Sequence, residues 1–188
     1  IGGGEGGKVR FVNIEMYRTP RPYDYNTEGN WRILPGISGG GYFHDMASHQ
    51  LDYLDSVFGP VVKANGIAVN QAGLYPADDM VSASLLFESG VVGTGTWCFT
   101  TDTYSEKEAI TILGSAGHLV FNTFGSPMKI NITTAEGTKL LEVLHPEHIQ
   151  QPLIQTIVNE LRGTGKCPST GETGARTTRV MIDITRSI

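Results

Sequence analysis

The sequence predicts an α+β fold in which an open, mainly antiparallel β-sheet carries helices on one face. Three features predict it: an amphipathic stretch at residues 42–58, a series of short β-type runs after it, and two further helical stretches at the end. Strands that follow one another without intervening helices favour antiparallel pairing over βαβ units. With 188 residues and 39% hydrophobic content, residues 1–188 are expected to form a single domain around one core.

The residues before the first long helix predict a leader, one strand and a loop. Three glycines within residues 2–7 satisfy G-x-G-x-x-G, but a dinucleotide fingerprint must follow a strand and open a helix, and this one does neither. Residues 8–17 alternate apolar and polar side chains, as a half-buried strand does. Residues 18–37 contain three prolines, which disfavour helix and central strand and predict a surface loop.

The stretch at residues 42–58 predicts a helix that carries a site. Asp45 and His49 are four residues apart and lie away from the apolar stripe, so they are neighbours on the helix surface. Three consecutive glycines precede the helix, and Gly59-Pro60 ends it. The stripe recurs at steps of three and four, as one helical face requires: Phe43, Met46, Ala47, Leu51, Leu54, Val57 and Phe58.

The Asp45/His49 pair has the chemistry for proton transfer near neutral pH. An unperturbed histidine has a pKa of about 6.5, and a neighbouring carboxylate can orient its ring and stabilise its charged form. The alternative is a merely solvated polar face, which most amphipathic helices have. Trp31 and Arg32 end the preceding loop and are candidate substrate contacts. Their alternative is a surface arginine beside a tryptophan that packs under its own loop.

Seven β-type runs follow the helix, separated by turn signals such as Glu88-Ser89-Gly90. In the third run, Gly93 and Gly95 suggest the close approach of a backbone or ligand. One face of these runs mixes small polar residues with Leu86, which predicts self-association through the open face of the sheet. The runs cover residues 61–70, 80–87, 91–100, 109–113, 118–121, 128–133 and 139–144.

Two helical stretches close the chain. The first spans residues 153–162 and ends at Gly163. The second covers residues 172–188. The apolar stripe of the first contains Leu153, Ile154, Ile157, Val158 and Leu161.

Charge and composition exclude several classes of function. A net charge of −5 argues against nucleic acid as a partner, because its binders carry a basic face. No apolar run approaches the ~20 residues that span a bilayer, so no membrane partner is expected. His44 and His49 are five residues apart rather than four, and we expect no metal site. Cys98 and Cys167 are expected to be free thiols, the first buried and the second exposed, which fits a cytoplasmic protein.

The helix and its surroundings resemble the Gfo/Idh/MocA family of oxidoreductases. In that family a glycine-rich turn is followed by three residues, Asp, three residues and His, and here Gly39-Gly40-Gly41, Asp45 and His49 fill those places. Further similarities are Gly59-Pro60, residues 79–90 and Gly114-Ser115-Ala116-Gly117. The resemblance covers the family's C-terminal, substrate-side domain. The family's N-terminal dinucleotide-binding domain, with the catalytic lysine of its Glu-Lys-Pro segment, is not found in these residues.

The resemblance implies an NAD(P)-dependent oxidoreductase that acts on a hydroxyl of a sugar, sugar derivative or cyclitol. It implies catalytic roles for Asp45 and His49. NAD or NADP would be bound mainly by the missing domain, so this chain alone is expected to bind neither and to be inactive. The family's sheet-to-sheet pairing also implies a homo-oligomer. A different class remains open, a catalytically silent binding or assembly module of the same fold.

Overall fold

A computed structural model describes residues 4, 6–26 and 28–186. The glycine-rich leader and the end of the last predicted helix therefore lie partly outside the described residues. The strands are β1 (Val9–Tyr17), β2 (Val61–Val69), β3 (Met80–Phe87), β4 (Val92–Cys98), β5 (Lys107–Gly114), β6 (Gly117–Phe121), β7 (Met128–Thr134) and β8 (Gly137–Val143). The α-helices are α1 (Pro35–Ser38), α2 (Tyr42–Phe58), α3 (Gln151–Leu161) and α4 (Gly171–Thr185).

The eight strands form one open sheet in the order β2-β3-β4-β1-β5-β6-β7-β8. Every neighbouring pair is antiparallel except β1 and β4. The predicted fold class is therefore confirmed. The insertion of β1 between β4 and β5 was not predicted, because it depends on pairing between segments far apart in the chain.

The core lies between the central strands and the helices α2 and α4. Val12, Ile14 and Met16 of β1 are fully buried and alternate with polar residues on the other face. Full burial of such a side chain contributes about 1.5–3 kcal/mol. The predicted stripe of α2 is buried, apart from Met46 and Val57, which are half-buried at its margins.

The two glycines of β4 make room for the chain's own side chains. A Cβ on Gly95 would lie 2.1 Å from the Trp97 ring. Trp97 is buried, and its Nε1 donates a hydrogen bond to Gln50 Oε1 at 2.8 Å, which ties β4 to α2. These glycines therefore accommodate close packing within the core.

The opposite face of the sheet is polar with one apolar row. Thr94 Oγ1 donates to Asn13 Oδ1 at 2.7 Å, and Lys107 Nζ lies 2.8 Å from Glu15 Oε2. A row of apolar residues crosses four neighbouring strands on this face. The row consists of Leu86, Val92, Phe11 and Leu113, each paired with the next in the register of the sheet.

Three local predictions need correction. The loop at residues 18–37 contains short helices at Pro22–Tyr25, Trp31–Ile33 and Pro35–Ser38. The first and the third begin at a proline, which is well suited to the first position of a helix because its missing N–H costs nothing there. The cysteines are free, but Cys167 is the buried one and Cys98 the half-buried one.

The apolar stripe of α3 is mostly exposed, with Leu153, Ile154 and Ile157 each about half-exposed and Leu161 more so. Periodicity indicates which side of a helix is apolar, but not whether another element covers it. None of the helices among the described residues is long and apolar enough to cross a membrane.

Candidate active site

The glycine turn sets the start of α2 and hence the positions of its first side chains. Gly39 and Gly41 have φ of +85° and +77°, where a side chain is strained. A Cβ on Gly41 would also lie 2.5 Å from the Cβ of Ala77. The Gly41 N–H donates to Ser38 Oγ at 2.9 Å. Glycine is therefore required at position 41 by both conformation and space.

One face of α2 carries Tyr42, Asp45, Met46 and His49. These positions are related by steps of three and four, so their side chains project from the same side of the helix. Residues 18–34 contact the first part of this face, at Tyr42 and Asp45. His49 lies one turn further along.

A buried hydrogen-bond network fastens this loop to α2. The Asp24 carboxylate, 1% exposed, accepts hydrogen bonds from Tyr42 Oη at 2.5 Å, Asn30 Nδ2 at 2.8 Å and the Arg21 N–H at 2.7 Å. These three donors compensate the burial of a charged group. Burial and the hydrogen bond to Asp24 raise the pKa of Tyr42, so its hydroxyl stays protonated as a donor.

Sequence reasoning missed this network because its members are separated along the chain and have no motif. Tyr42 and Asp24, for example, are 18 positions apart. Asp24 also lies in a loop, where an exposed carboxylate is the usual expectation. Tyr42, directly before the apolar stripe, was a signal in the sequence that the buried side of α2 extends toward the loop.

The structure brings Asp45, Arg32 and Trp31 together. Arg32 Nε lies 2.9 Å from Asp45 Oδ2, and the guanidinium carbon lies 4.6 Å from the centroid of the Trp31 ring. The side chains of Arg32 and Asp45 remain 41% and 32% exposed. Trp31 does not pack under its loop, because 46% of it is exposed. All three groups are therefore accessible to a ligand.

His49 lies on the same face without a hydrogen bond to Asp45. Its ring meets the edge of Phe124 at a centroid distance of 5.8 Å. Among the hydrogen bonds of the described residues, none involves the His49 side chain, which is exposed. His49 also lines an open groove of about 460 Å³ together with Tyr53, Leu153 and Ser169. Asp45 does not line that groove. Its carboxylate pairs instead with Arg32.

Two further polar side chains of α2, His44 and Asp52, contact other parts of the chain. His44 packs against Gly40, and burial of the ring lowers the pKa of His44, against smaller opposing effects of the Gly40 backbone and the Asp78 carboxylate. Asp52 Oδ2 accepts a hydrogen bond from Ser169 Oγ at 3.2 Å. In the part of the chain that the structure describes, no group of three or more His, Cys, Asp or Glu side chains could hold a metal ion.

Comparison with known proteins identifies the family. Residues 1–120 match the model of the GFO/IDH/MocA C-terminal domain. This chain belongs to the Gfo/Idh/MocA family. A curated relative of this chain, Oxidoreductase P35 of Formosa agariphila, is 37% identical over 160 residues, which cover 82% of this chain and 46% of the relative.

Solved structures of other oxidoreductases share the fold of this chain. The WlbA dehydrogenase of Bordetella pertussis, in complex with NADH and UDP-GlcNAcA, has a TM-score of 0.75 and 24% identity, with 98% of this chain and 55% of that chain covered. KijD10, a 3-ketoreductase of Actinomadura kijaniata in complex with NADP and TDP-benzene, has a TM-score of 0.74 and 15% identity, with 96% and 54% covered. This chain thus spans about half the length of these relatives.

Proposed function

We propose that this chain is the substrate-side domain of an NAD(P)-dependent oxidoreductase that acts on a hydroxyl of a sugar, sugar derivative or cyclitol. The observation that carries the proposal is the accessible face of α2, which presents Asp45 and His49 one turn apart directly after the glycine turn. The dehydrogenase and the 3-ketoreductase named above are complexes with a sugar nucleotide or a nucleotide-derived ligand and with NADH or NADP, which supports this class of substrate and cofactor.

His49 is proposed to take the proton of the reacting hydroxyl. An alkoxide is too basic to form unaided near neutral pH, so a positioned base is needed as the C–H bond breaks. The His49 ring makes no internal hydrogen bond among the described residues, which leaves it available to the substrate. The Phe124 edge limits its rotation on one side. A bound nicotinamide supplies the hydride acceptor for the reaction.

Asp45 is proposed to bind the substrate and to favour the charged form of His49. Its Oδ2 is engaged by Arg32, which leaves Oδ1 to accept a hydrogen bond from a substrate hydroxyl. A carboxylate one helical turn from an imidazole also stabilises the imidazolium that forms on proton transfer.

The dinucleotide itself is assigned to a domain outside this chain. In the part of the chain that the structure describes, Gly4 and Gly7 are followed directly by β1 and not by a helix that could hold a pyrophosphate at its N-terminus. The groove beside His49 is lined by both apolar and polar side chains, such as Tyr53, Leu153 and Asp52. Relatives about twice as long as this chain leave room for a second domain.

A homo-oligomer that forms through the open face of the sheet is part of the proposal. The apolar row of Leu86, Val92, Phe11 and Leu113 crosses an otherwise polar surface, and Val92 is 47% exposed. A flat, self-complementary surface of this kind suits pairing about a two-fold axis.

We also propose a cytoplasmic location. Cys98 and Cys167 are both free thiols. Free thiols fit a reducing compartment, where disulfides are rare.

Activity of the full-length protein tests the proposed function. A panel of sugars and cyclitols would be assayed with NAD and with NADP by the absorbance of the reduced nicotinamide. We expect turnover with at least one hydroxyl substrate. A full-length protein that binds a sugar but never reduces the cofactor would instead be the silent binding module that shares this fold.

A further inference from the structure

The Arg32 guanidinium has donors that the chain does not use. A guanidinium carries five N–H groups in a planar fork. Among the hydrogen bonds of the described residues, Arg32 donates from Nε to Asp45 Oδ2 at 2.9 Å. The Nη groups have no hydrogen-bond partner among the described residues, and the side chain is 41% exposed. Arg32 is thus held by one edge while its other edge faces solvent.

Two contacts fix the plane of this guanidinium. The Trp31 ring lies 4.6 Å from its central carbon on one side, and Asp45 holds its Nε. An arginine that is already oriented loses less conformational entropy when it binds an anion than a free surface arginine does. A planar oxyanion can take two parallel hydrogen bonds from such a fork. This arrangement suits a carboxylate or phosphate group better than a neutral hydroxyl.

The two carboxylates that join the loop to α2 are engaged within the chain. The Arg21 guanidinium lies over the Tyr42 ring at 5.6 Å, on the same face of α2 as Asp45. The charge of Asp24 is buried and takes three internal hydrogen bonds, so it is not available to a ligand. Asp45 neutralises part of the positive charge of Arg32.

Arg32 is tied to the helix that carries His49, because it contacts Asp45 one helical turn before His49. Arg32 contacts Asp45, and residues four apart on a helix have Cβ atoms ~5–6 Å from each other. A group bound by Arg32 would therefore lie beside Asp45, one helical turn before His49. An acidic substituent could be held at Arg32 while a ring hydroxyl reaches the imidazole.

We propose that Arg32 and Trp31 form a subsite for an anionic substituent of the sugar, a carboxylate or a phosphate ester. The substrate is then an acidic sugar, bound with its charged group at Arg32 and its reacting hydroxyl toward His49. The orientation of the sugar, with its reacting hydroxyl toward His49, rests on the function proposed above. The binding of the anion does not depend on any redox step.

Binding can be measured on this chain by nuclear magnetic resonance of its two tryptophan indole N–H groups. Trp31 reports the subsite, and the buried Trp97 reports folding. The probes are D-glucuronate, D-glucose 6-phosphate, neutral D-glucose and acetate, at matched ionic strength. We expect one or both acidic sugars to shift the Trp31 signal saturably, with glucose and acetate at least about tenfold weaker.

Three variants make the measurement decisive. Arg32→Gln should weaken the acidic sugar at least about tenfold, since charge-assisted hydrogen bonds are lost. Arg32→Lys should retain part of the binding, because it keeps the charge without the fork. Arg162→Gln, at an exposed arginine after α3, is the matched control and should bind as the wild type does.

Equal shifts by glucose and glucuronate, an equal response to acetate, or undiminished binding by Arg32→Gln with an intact Trp97 signal would each overturn the subsite. Failure of the subsite proposal can be distinguished from failure of the proposed function. A full-length enzyme that oxidises only neutral sugars would retain the function without the subsite. Acidic-sugar binding in a full-length protein without dehydrogenase activity would retain the subsite without the function.

Discussion

Individual residues hold the candidate site in place, and Tyr42 is the clearest of them. Its hydroxyl links the first residue of α2 to the buried carboxylate of Asp24. Asp24 and Asn30 belong to the loop that also carries Trp31 and Arg32. Loss of this hydrogen bond would therefore affect both stability and the placement of Arg32.

We expect Tyr42→Phe to lower the free energy of unfolding by about 1–3 kcal/mol, because a buried carboxylate loses one of its three donors. Urea unfolding measures the change. Tyr25→Phe is the matched control, since Tyr25 is exposed and should tolerate the change within ~0.5 kcal/mol. Equal stability of Tyr42→Phe and the wild type would show that the network does not hold the loop.

His44 makes stability depend on pH. Burial lowers the pKa of His44 in the folded protein, so the unfolded chain binds the proton more readily. The contribution of neutral His44 is fully present above the unfolded pKa of about 6.5 and is lost as the pH falls through the folded value. Urea unfolding between pH 7.5 and 5.5 should show a smaller loss of stability for His44→Leu than for the wild type. His148→Leu, at an exposed histidine, should follow the wild type, and identical slopes for all three proteins would contradict this role.

Periodicity alone predicted that Asp45 and His49 share a face of α2, because helical geometry fixes relative directions within one element. It did not predict that the Asp45 carboxylate would turn to Arg32. That contact depends on how residues 18–34 fold, and the loop is held by Asp24, Asn30 and Tyr42 through contacts without a local signal. Phe124 beside His49 was missed for the same reason.

At the scale of elements, the glycine turn before α2 is the most demanding feature. Gly41 has positive φ and no room for a Cβ beside Ala77. The sequence already suggested a sharp turn here, since three consecutive glycines otherwise weaken any regular element. The role of Gly93 and Gly95 in β4 was harder to predict from the sequence. The Trp97 ring that occupies the space beside Gly95 can be recognised only once the core is packed.

Gly41→Ala should destabilise the protein by more than ~1 kcal/mol, through strain at positive φ and the clash with Ala77. Gly36→Ala is the matched control, because Gly36 lies in α1 with no atom within 4 Å of its added Cβ. That change should be neutral or stabilising by up to about 1 kcal/mol. Thermal unfolding of both variants checks the prediction, and equal effects would contradict the account of the turn.

At the scale of the whole molecule, the fold class could be predicted and the strand order could not. Alternation identified residues 8–17 as a half-buried strand, since alternation follows from a local period of two, and β1 (Val9–Tyr17) confirms it. The place of β1 in the sheet depends on long-range pairing with β4 and β5. The exposed stripe of α3 likewise could not be foreseen, because it depends on what covers the helix.

Self-association should depend on the apolar row of the open sheet face. Val92→Lys places a charge in the middle of that row and should give a monomer where the wild type is a dimer or larger. Val62→Lys is the matched control, since Val62 is a 58% exposed valine on the edge strand β2. Light scattering at micromolar concentration measures the mass. A wild-type monomer at all concentrations would show that the open face is only solvated.

The most direct test of the proposed proton transfer is the turnover of the full-length protein with His49 replaced. His49→Ala should lower kcat at least about 10²-fold, the usual contribution of a positioned general base, with a smaller effect on KM. His148→Ala should retain wild-type turnover, because that exposed histidine lies in the loop before α3. A His49→Ala protein with unchanged kcat, measured with the sugar that the wild type oxidises, would remove His49 from the mechanism and contradict the account.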